Sequence, residues 1–261
     1  MEELLYQMIF KRKSFHLFQT PGQISHGELS RIEEAFPACT PLIPGIRTQM
    51  RIVPAKQTAC KRGQEYCLLF YSETKAGYLP NIGYIGEQMD LLLTSMDIGT
   101  LWYGIGRGEA LPGSGMEFVI MIAIGKMEPN RFRKDMFKAK RKPTADIWFG
   151  EDLGIAGILR FAPSACNTQP WMVEHNGNTL KVFRIRQPGK RGIMPADKVT
   201  YYNRIDIGIF LLFLEVCLDH KQLAFDRTVY ADRKENEKNL AAVYSIKERS
   251  SQNRAGDQLA G

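Results

Sequence analysis

The sequence predicts an α+β fold of two similar halves. Each half is a mostly antiparallel sheet flanked by helices, and a pseudo-twofold relates them within one chain. Three observations carry this expectation. Strand-like and amphipathic helical runs alternate along all but the end of the 261 residues. Pro37–Pro44 and Pro163–Pro170 share one proline-to-proline spacing, and each follows a short amphipathic helix. Strands and a long apolar helix then follow each, with Gly86–Leu93 ending at Asp97 lining up with Gly208–Phe213 ending at Asp219. Matched pairs in the same order argue for duplicated halves, with chance recurrence of a helix–loop–strand pattern as the plainer alternative. The expected organisation is a first half over 1–125, a basic crossover over 126–150, a second half over 151–249 and a disordered polar tail over 250–261.

The first predicted helix runs from Glu2 to about Lys13, with Leu4, Leu5, Met8 and Ile9 on one stripe. Pro21-Gly22 breaks the chain. Ser25, with Glu28 three residues on, forms a capping box for a second helix reaching about Phe36. Met50–Val53 and Tyr66–Tyr71 read as strands, Gly86–Ile98 as a long apolar helix and Phe118–Gly125 as a buried strand. The segment 126–150 is basic and dotted with aromatics, as a crossover would be. A helix ending at Phe161 precedes a hairpin of Met172–His175 and Thr179–Ile185 about Asn176-Gly177-Asn178. Asp206–Leu218 reads as a second apolar helix, and Phe225–Ala231 and Leu240–Ile246 as strands. The Leu91–Leu93 and Leu211–Leu214 stripes are expected to pack the halves together.

Composition narrows the function classes. At 44% hydrophobic content the chain can bury a real core, and no run approaches the eighteen apolar residues of a membrane span. The acidic Met1-Glu2-Glu3 start has no basic segment leading into an apolar one, so no secretory signal is expected. Five cysteines form no Cys-x-x-Cys pair and none of the four histidines has zinc-ligand spacing. This argues against a disulfide framework or structural metal and for a reducing cytoplasm. The net charge of +7 is densest in Arg131-Phe132-Arg133-Lys134 and onward through Lys138, Lys140, Arg141 and Lys142. With no nucleic-acid-reading signature, that run is either a solvated linker or part of an anionic ligand site, and no nucleic-acid partner is expected.

Two segments carry chemistry. Pro163-Ser164-Ala165-Cys166-Asn167-Thr168-Gln169-Pro170, followed by Trp171, holds a hydroxyl and two carboxamides between prolines, suited to a flat heterocycle with several hydrogen-bonding edges. In the first-half copy the matched residues Ala38, Pro41 and Ile43 cannot make those bonds. Lys11-Arg12-Lys13-Ser14 places cations and a hydroxyl where the first helix ends, which suits a phosphate monoester. Basic residues at a helix C-terminus also favour the helix dipole, so alone this cluster is ambiguous. Cys166 reads as a small packed residue and Trp171 as a core anchor. Gly104-Ile105-Gly106-Arg107-Gly108-Glu109 imitates a dinucleotide fingerprint, but it is expected to follow a helix instead of a strand and lacks the third glycine spacing.

Together these residues resemble the FMN-dependent nitroreductase family. Its opening Arg-Arg-Ser-x-Arg-x-aromatic pattern is similar to Arg12-Lys13-Ser14-Phe15-His16-Leu17-Phe18, with Lys13 and His16 as departures. Its Pro-Ser-x-x-Asn-x-Gln-Pro-Trp hallmark is matched by Pro163, Ser164, Asn167, Gln169, Pro170 and Trp171. Its long helix leading to Trp and small residues resembles Gly99-Thr100-Leu101-Trp102-Tyr103-Gly104-Ile105-Gly106, with Ile105 where a second glycine is usual. A late cation beside proline is represented by Arg141-Lys142-Pro143. The competent cluster lies in one half and the competent loop in the other, so the resemblance is to the fused, pseudodimeric branch. It implies one FMN per chain, NAD(P)H as electron donor and a nitroaromatic or quinone as substrate, in ping-pong turnover by a monomer. It also implies that Arg12, Ser14 and Arg141 hold the phosphate, with Lys13 and Lys142 adding field. Ser164, Asn167 and Gln169, with Pro163 and Ala165 in the same loop, would read the ribityl chain and ring edge. Backbone around Tyr103, Gly104, Ile105 and Gly106 would line the ring. No side chain is expected to act as acid, base or nucleophile. A flavin-binding sensor or carrier without turnover is the alternative.

Overall fold

The computed structural model describes residues 2–19, 22–231 and 236–248. The chain opens with α1 (Glu2–Lys11) and α2 (His26–Ala38). At the start of α2 the Ser25 hydroxyl accepts from the Glu28 amide at 3.2 Å, and the Glu28 carboxylate accepts from the Ser25 amide at 2.8 Å, completing the expected capping box. β1 (Thr48–Pro54), β2 (Tyr66–Ser72), α3 (Tyr78–Ser95), β3 (Ile98–Tyr103) and β4 (Glu117–Lys126) follow. Three 3₁₀ turns and the two-residue β5 (Trp148–Phe149) fill the stretch up to α4 (Ala156–Leu159). β6 (Trp171–Asn176), β7 (Thr179–Ile185), α5 (Ala196–His220), β8 (Leu223–Val229) and β9 (Lys238–Glu248) complete the described chain. In the predicted hairpin Asn176 pairs with Thr179, and Gly177 takes the left-handed φ of 56° that the two-residue turn needs.

Three boundaries differ from the sequence reading. α3 begins at Tyr78 instead of Gly86, because Gly77 at φ 82° turns the chain in and Pro80 sits in the first turn, where its missing N–H costs nothing. α5 begins at Ala196 instead of Asp206, since the polar run from Asp197 to Arg204 hides its first turns from an apolar-periodicity test. β3 was not expected as a strand. Its first four residues are buried in succession, so the alternation that marks a half-exposed strand is missing. The polar tail expected over 250–261 lies outside the described residues.

Two sheets result. The first has order β1-β2-β4-β3 and every neighbouring pair is antiparallel. The second has order β5-β6-β7-β9-β8, with β5 parallel to β6 and the rest antiparallel. Without β5, the second order repeats the first strand for strand. α3 and α5 pack on each other and bury Leu91, Leu93 and Phe210 through Leu214. Trp171 is buried and stacks on Phe210 with ring centroids 4.9 Å apart, so it is the expected core anchor.

The α3–α5 crossing is reciprocal. A Cβ on Gly83 would collide with the Ile205 carbonyl oxygen, and a Cβ on Gly208 would collide with that of Pro80. Each pair of counterparts is 125 positions apart (208 less 83, 205 less 80). The same interval separates Asp97 (φ 55°) and Gln222 (φ 58°), the left-handed residues that turn each helix into the next strand. The register is therefore Gly83 with Gly208 and Asp97 with Gln222. The sequence pairing of Gly86 with Gly208 and Asp97 with Asp219 is corrected by three positions. Gly86 instead makes room for the Trp102 ring.

Candidate flavin site

The site grows from the end of α1. Arg12 is 3% exposed, and its Nε donates to Asp90 Oδ2 at 2.8 Å, with Glu87 Oε1 3.4 Å away. Asp90 also accepts from Thr100 Oγ1 at 2.5 Å and Trp102 Nε1 at 2.9 Å, so one carboxylate ties α1 and α3 to β3. Burial alone would lower the Arg12 pKa, but Asp90 and Glu87 hold it above its ordinary value. Glu87 is fully buried. Desolvation and the neighbouring Asp90 push its pKa well up, against the pull of Arg12. Arg12 Nη2 reaches Ser14 Oγ at 3.4 Å, and Phe15 N donates to Thr100 O at 2.9 Å, laying the Ser14 strand beside β3.

A cluster of guanidiniums gathers beside Arg12. Arg141 has its pKa pulled down to about 10, first by burial and then by Arg133, Arg12 and Arg160. Arg133 is lowered by burial and by Arg12. The Nε atoms of Arg141 and Arg160 are buried without a hydrogen-bond partner among the described residues, and both guanidiniums lie over the Phe161 ring, at 6.0 and 4.9 Å. Four guanidiniums thus crowd one place, with Asp90 and Glu87 as the carboxyls beside Arg12 among the described residues. Such crowding is unfavourable until an anion enters. Lys13 is turned aside, its Nζ donating to Arg131 O at 3.1 Å.

The Pro163–Pro170 loop abuts this cluster through 140–142. Asn167 Nδ2 donates to Lys140 O at 3.2 Å, Lys142 N to Gln169 Oε1 at 2.9 Å, and Lys142 Nζ to Gln169 O at 2.9 Å. Cys166, Asn167 and Gln169 all have left-handed backbone, at φ 49°, 54° and 47°. For Cys and Gln this costs roughly 1 kcal/mol or more each. The loop is held in that shape by Gln169 N donating to Ser164 Oγ (3.0 Å) and Ala165 N donating to Asp206 Oδ1 (2.9 Å). Asn203 Nδ2 adds bonds to Thr168 Oγ1 and Asp206 Oδ2, both at 2.9 Å. Burial raises the Asp206 pKa to about 7, partly opposed by these donors. In the first half, Ile43 N donates likewise to Asn81 Oδ1 at 2.9 Å, and 81 is again 125 positions before 206.

The third wall is the end of β3. Tyr103, Gly104 and Gly106 are half-buried and Ile105 is 51% exposed. The Tyr202 hydroxyl of α5 donates to Gly104 O, and its ring lies where a Gly104 side chain would be. The dinucleotide-like glycines of 104–108 do follow a strand, contrary to the sequence reading. No helix follows them before β4, so the fingerprint fails for that reason instead.

The predicted site residues thus fall into two linked groups, Arg12, Ser14 and Arg141 in the cation cluster and Pro163, Ser164, Ala165, Asn167, Gln169 and Lys142 in or against the loop. Tyr103 to Gly106 are tied to α5. Gln169 is 3% exposed and spends its amide inside the loop, with Nε2 donating to Asn167 O at 3.3 Å. Arg133, Arg160, Asn203 and Asp206 were missed. Arg133 lies in the basic run already noted, but Arg160 and Asp206 fall in segments that read as helix and Asn203 just before one, with no local signal. FMN carries a phosphate dianion, and the crowded cluster with two orphaned Nε atoms fits that charge, whereas Gln169, buried with both ends of its amide engaged, holds the loop's shape instead of facing a ring edge.

Comparison with solved structures finds the fold again in a protein described as a "putative nitroreductase" from Thermotoga maritima MSB8. It is 17% identical, with 93% of each chain covered and a TM-score of 0.58. More distant similarity reaches a Desulfovibrio desulfuricans protein of the same description solved with FMN (17% identity, 57% of this chain and 97% of that one, TM-score 0.43). A nitroreductase family protein of Clostridium difficile 630 is also similar (13%, 57% and 98%, TM-score 0.43). No curated protein matches. The family model described as "Putative TM nitroreductase" matches residues 4–217, and the chain therefore belongs to that nitroreductase family.

Proposed function

We propose that this chain is an FMN-dependent NAD(P)H oxidoreductase acting on electron-poor aromatics, nitro compounds or quinones, with one FMN per chain. The observation that carries the proposal is the convergence of Arg12, Arg133, Arg141 and Arg160 beside the Pro163–Pro170 loop. Membership of the nitroreductase family supports an oxidoreductase role. What FMN supplies when bound is acceptance of two electrons from NAD(P)H and their donation to the second substrate in a separate half-reaction.

The chain's own residues bind and orient. Arg141 and Arg160 offer their unused Nε donors to the phosphate, while Arg12, fixed by Asp90, keeps its guanidinium terminus beside Ser14. Each charge-assisted contact is worth roughly 1.5–3 kcal/mol. Lys13 and Lys142 add positive field. Ser164 and Asn167, with Pro163 and Ala165, present the loop to the ribityl chain and ring edge, and Gln169 holds its shape from within. Tyr103 to Gly106, braced by Tyr202, offer backbone along the ring and donors for its reduced, anionic form. No side chain is assigned as acid, base or nucleophile.

The matching strand orders and the 125-residue register support duplicated halves, with 126–150 as the crossover and a monomer as the working unit. The five cysteines, all free thiols here, suit a cytoplasmic setting. Purified protein with added FMN should be yellow, bleach with NAD(P)H under anaerobic conditions and recover its colour on adding a nitroaromatic or quinone. Yellow protein that neither NADH nor NADPH bleaches would instead be a carrier or sensor.

A further inference from the structure

Alternate residues of β2 serve two cores. Leu68 and Phe70 point into the main one, whereas Cys67, Leu69 and Tyr71 point into a smaller one on the other face of the sheet. Cys60 reaches the same small core from the loop that follows β1 and the 3₁₀ turn Ala55–Gln57. The two cysteines are 1% and 0% exposed, packed with Phe15 and Phe18.

Two observations bring the cysteines together. Gln64 Nε2 donates to Cys60 O at 2.7 Å and to Cys67 Sγ at 3.7 Å, so one amide nitrogen spans both residues. The Cys60 thiol is itself a hydrogen-bond donor to the Cys67 sulfur, and Thr58 Oγ1 stands 3.6 Å from that sulfur. A cysteine that only fills space needs no donors turned towards its sulfur. Burial raises a thiol's pKa, and it pushes Cys39 and Cys217 up to about 12. Cys67 goes the other way. The Cys60 thiol first, then Thr58 and Gln64, hold it below the ordinary thiol value against the cost of burial. Cys60 is raised, chiefly by that same hydrogen bond, and is the partner that keeps its proton.

The pair lies one residue beneath solvent. Ala59, Lys61, Arg62 and Gly63 are exposed, and Gly63, at φ 78°, folds the loop against the Phe18 carbonyl. Among the described residues, the one backbone–backbone hydrogen bond of 59–63 runs from Phe18 N to Arg62 O at 2.8 Å. A segment held so lightly opens more readily than the sheet beneath it, and a small oxidant can then reach the sulfurs.

We propose that Cys67 and Cys60 form a hydroperoxide-reactive dithiol, in which Cys67 is oxidised first and Cys60 resolves it to a disulfide. The Cys67 thiolate attacks one oxygen of hydrogen peroxide and the O–O bond breaks. The other oxygen leaves as water with the proton that Cys67 gave up, and Cys67 becomes a sulfenic acid. The Cys60 sulfur then attacks the Cys67 sulfur, the S–O bond breaks, and the hydroxyl leaves as water with the Cys60 proton. In total the two thiols lose two electrons and one peroxide gains them. The proposal does not rest on the flavin reading.

The test treats the full chain, reduced with dithiothreitol and desalted without oxygen, with a small excess of hydrogen peroxide. Catalase ends the reaction, iodoacetamide in denaturant blocks the remaining thiols, and trypsin cleaves the chain. Lys61 and Arg62 place the two cysteines on separate tryptic peptides, so their disulfide appears as a cross-linked pair that dithiothreitol splits. That pair should be found, and Cys67 should leave the alkylated pool about tenfold or more faster than Cys39 or Cys217. In Cys60→Ser a sulfenic acid should persist at Cys67 and take up dimedone. The wild-type map decides the question even where Cys60→Ser fails to fold. Full alkylation of Cys67 while the exposed Cys166 oxidises would overturn the proposal. So would oxidation of Cys67 without a link to Cys60, or at the rate of Cys39 and Cys217. No readout uses flavin, so failure here leaves the flavin proposal untouched, and the reverse holds too.

Discussion

Gly83 and Gly208 are each other's reciprocal at the α3–α5 crossing, each lying where a side chain would strike the partner helix's backbone three residues before the other glycine. The obstruction is carbonyl backbone, not a movable side chain, so relief requires the helices to separate. Gly83→Ala and Gly208→Ala should each destabilise by about 3 kcal/mol or more despite the better helix propensity of alanine. Once the helices have parted for one methyl, the second costs less. The double variant should fall short of the sum by about 1 kcal/mol or more, read from urea unfolding midpoints.

Asp90 and Glu87 share Arg12, but it is Asp90 that accepts the Arg12 Nε hydrogen bond at 2.8 Å, with Glu87 at 3.4 Å. Asp90→Asn leaves a buried guanidinium without its carboxylate and should cost about 3–5 kcal/mol, together with FMN affinity. Glu87→Gln keeps the shape of a carboxyl that burial already pushes towards its neutral form, and should cost less stability than Asp90→Asn. Thermal unfolding of the two variants should separate them plainly; equal losses would contradict the different weight given to the two carboxyls.

Asp206 gives the loop a pH dependence whose sign is the reverse of a salt-bridged carboxylate. Its folded pKa of about 7 lies above the ordinary 3.8, so the folded state holds the extra proton between those values. This contribution is full below about pH 4 and is lost as pH rises towards 7, by up to roughly 4 kcal/mol at about 1.4 kcal/mol per unit. Asp206→Asn should remove that slope, with the gap between wild-type and variant melting temperatures changing between pH 4 and pH 8. Parallel curves would contradict the buried-acid assignment.

Our proposal gives Arg160 a phosphate-binding role on the strength of its unpartnered, buried Nε beside Arg141. Arg160→Ala and Arg141→Ala should each weaken FMN binding about tenfold to a hundredfold, at roughly 1.5–3 kcal/mol per contact. They should weaken riboflavin binding far less, since that ligand has no phosphate. Equal losses for both ligands, measured by fluorescence titration, would place these residues away from the phosphate.

The local elements are legible in the sequence. The capping box at Ser25 and Glu28 and the turn at Gly177 are local chemistry and stand where expected. The Arg12-to-Ser14 and Pro163-to-Trp171 motifs are contiguous, so their residues could be named from spacing alone. β3 is hidden because burial in succession erases strand alternation, and the start of α5 because its inward face carries Val199, Tyr202 and the polar Asn203 instead of an aliphatic stripe. Arg160, Asn203 and Asp206 act across long separations in sequence, as in the 41-residue reach from Ala165 to Asp206, which no local pattern encodes. The three-residue error in matching the long helices arose from aligning Gly86, which accommodates Trp102, where Gly83 makes the crossing.

The central claim is one flavin in one composite site, and flavin stoichiometry tests it most directly. After reconstitution with excess FMN and gel filtration, absorbance near 450 nm against protein concentration should give about one FMN per chain, and Asn167→Ala and Arg12→Ala should each strip it. Two FMN per chain, none retained, or an Asn167→Ala variant with undiminished flavin would contradict the account.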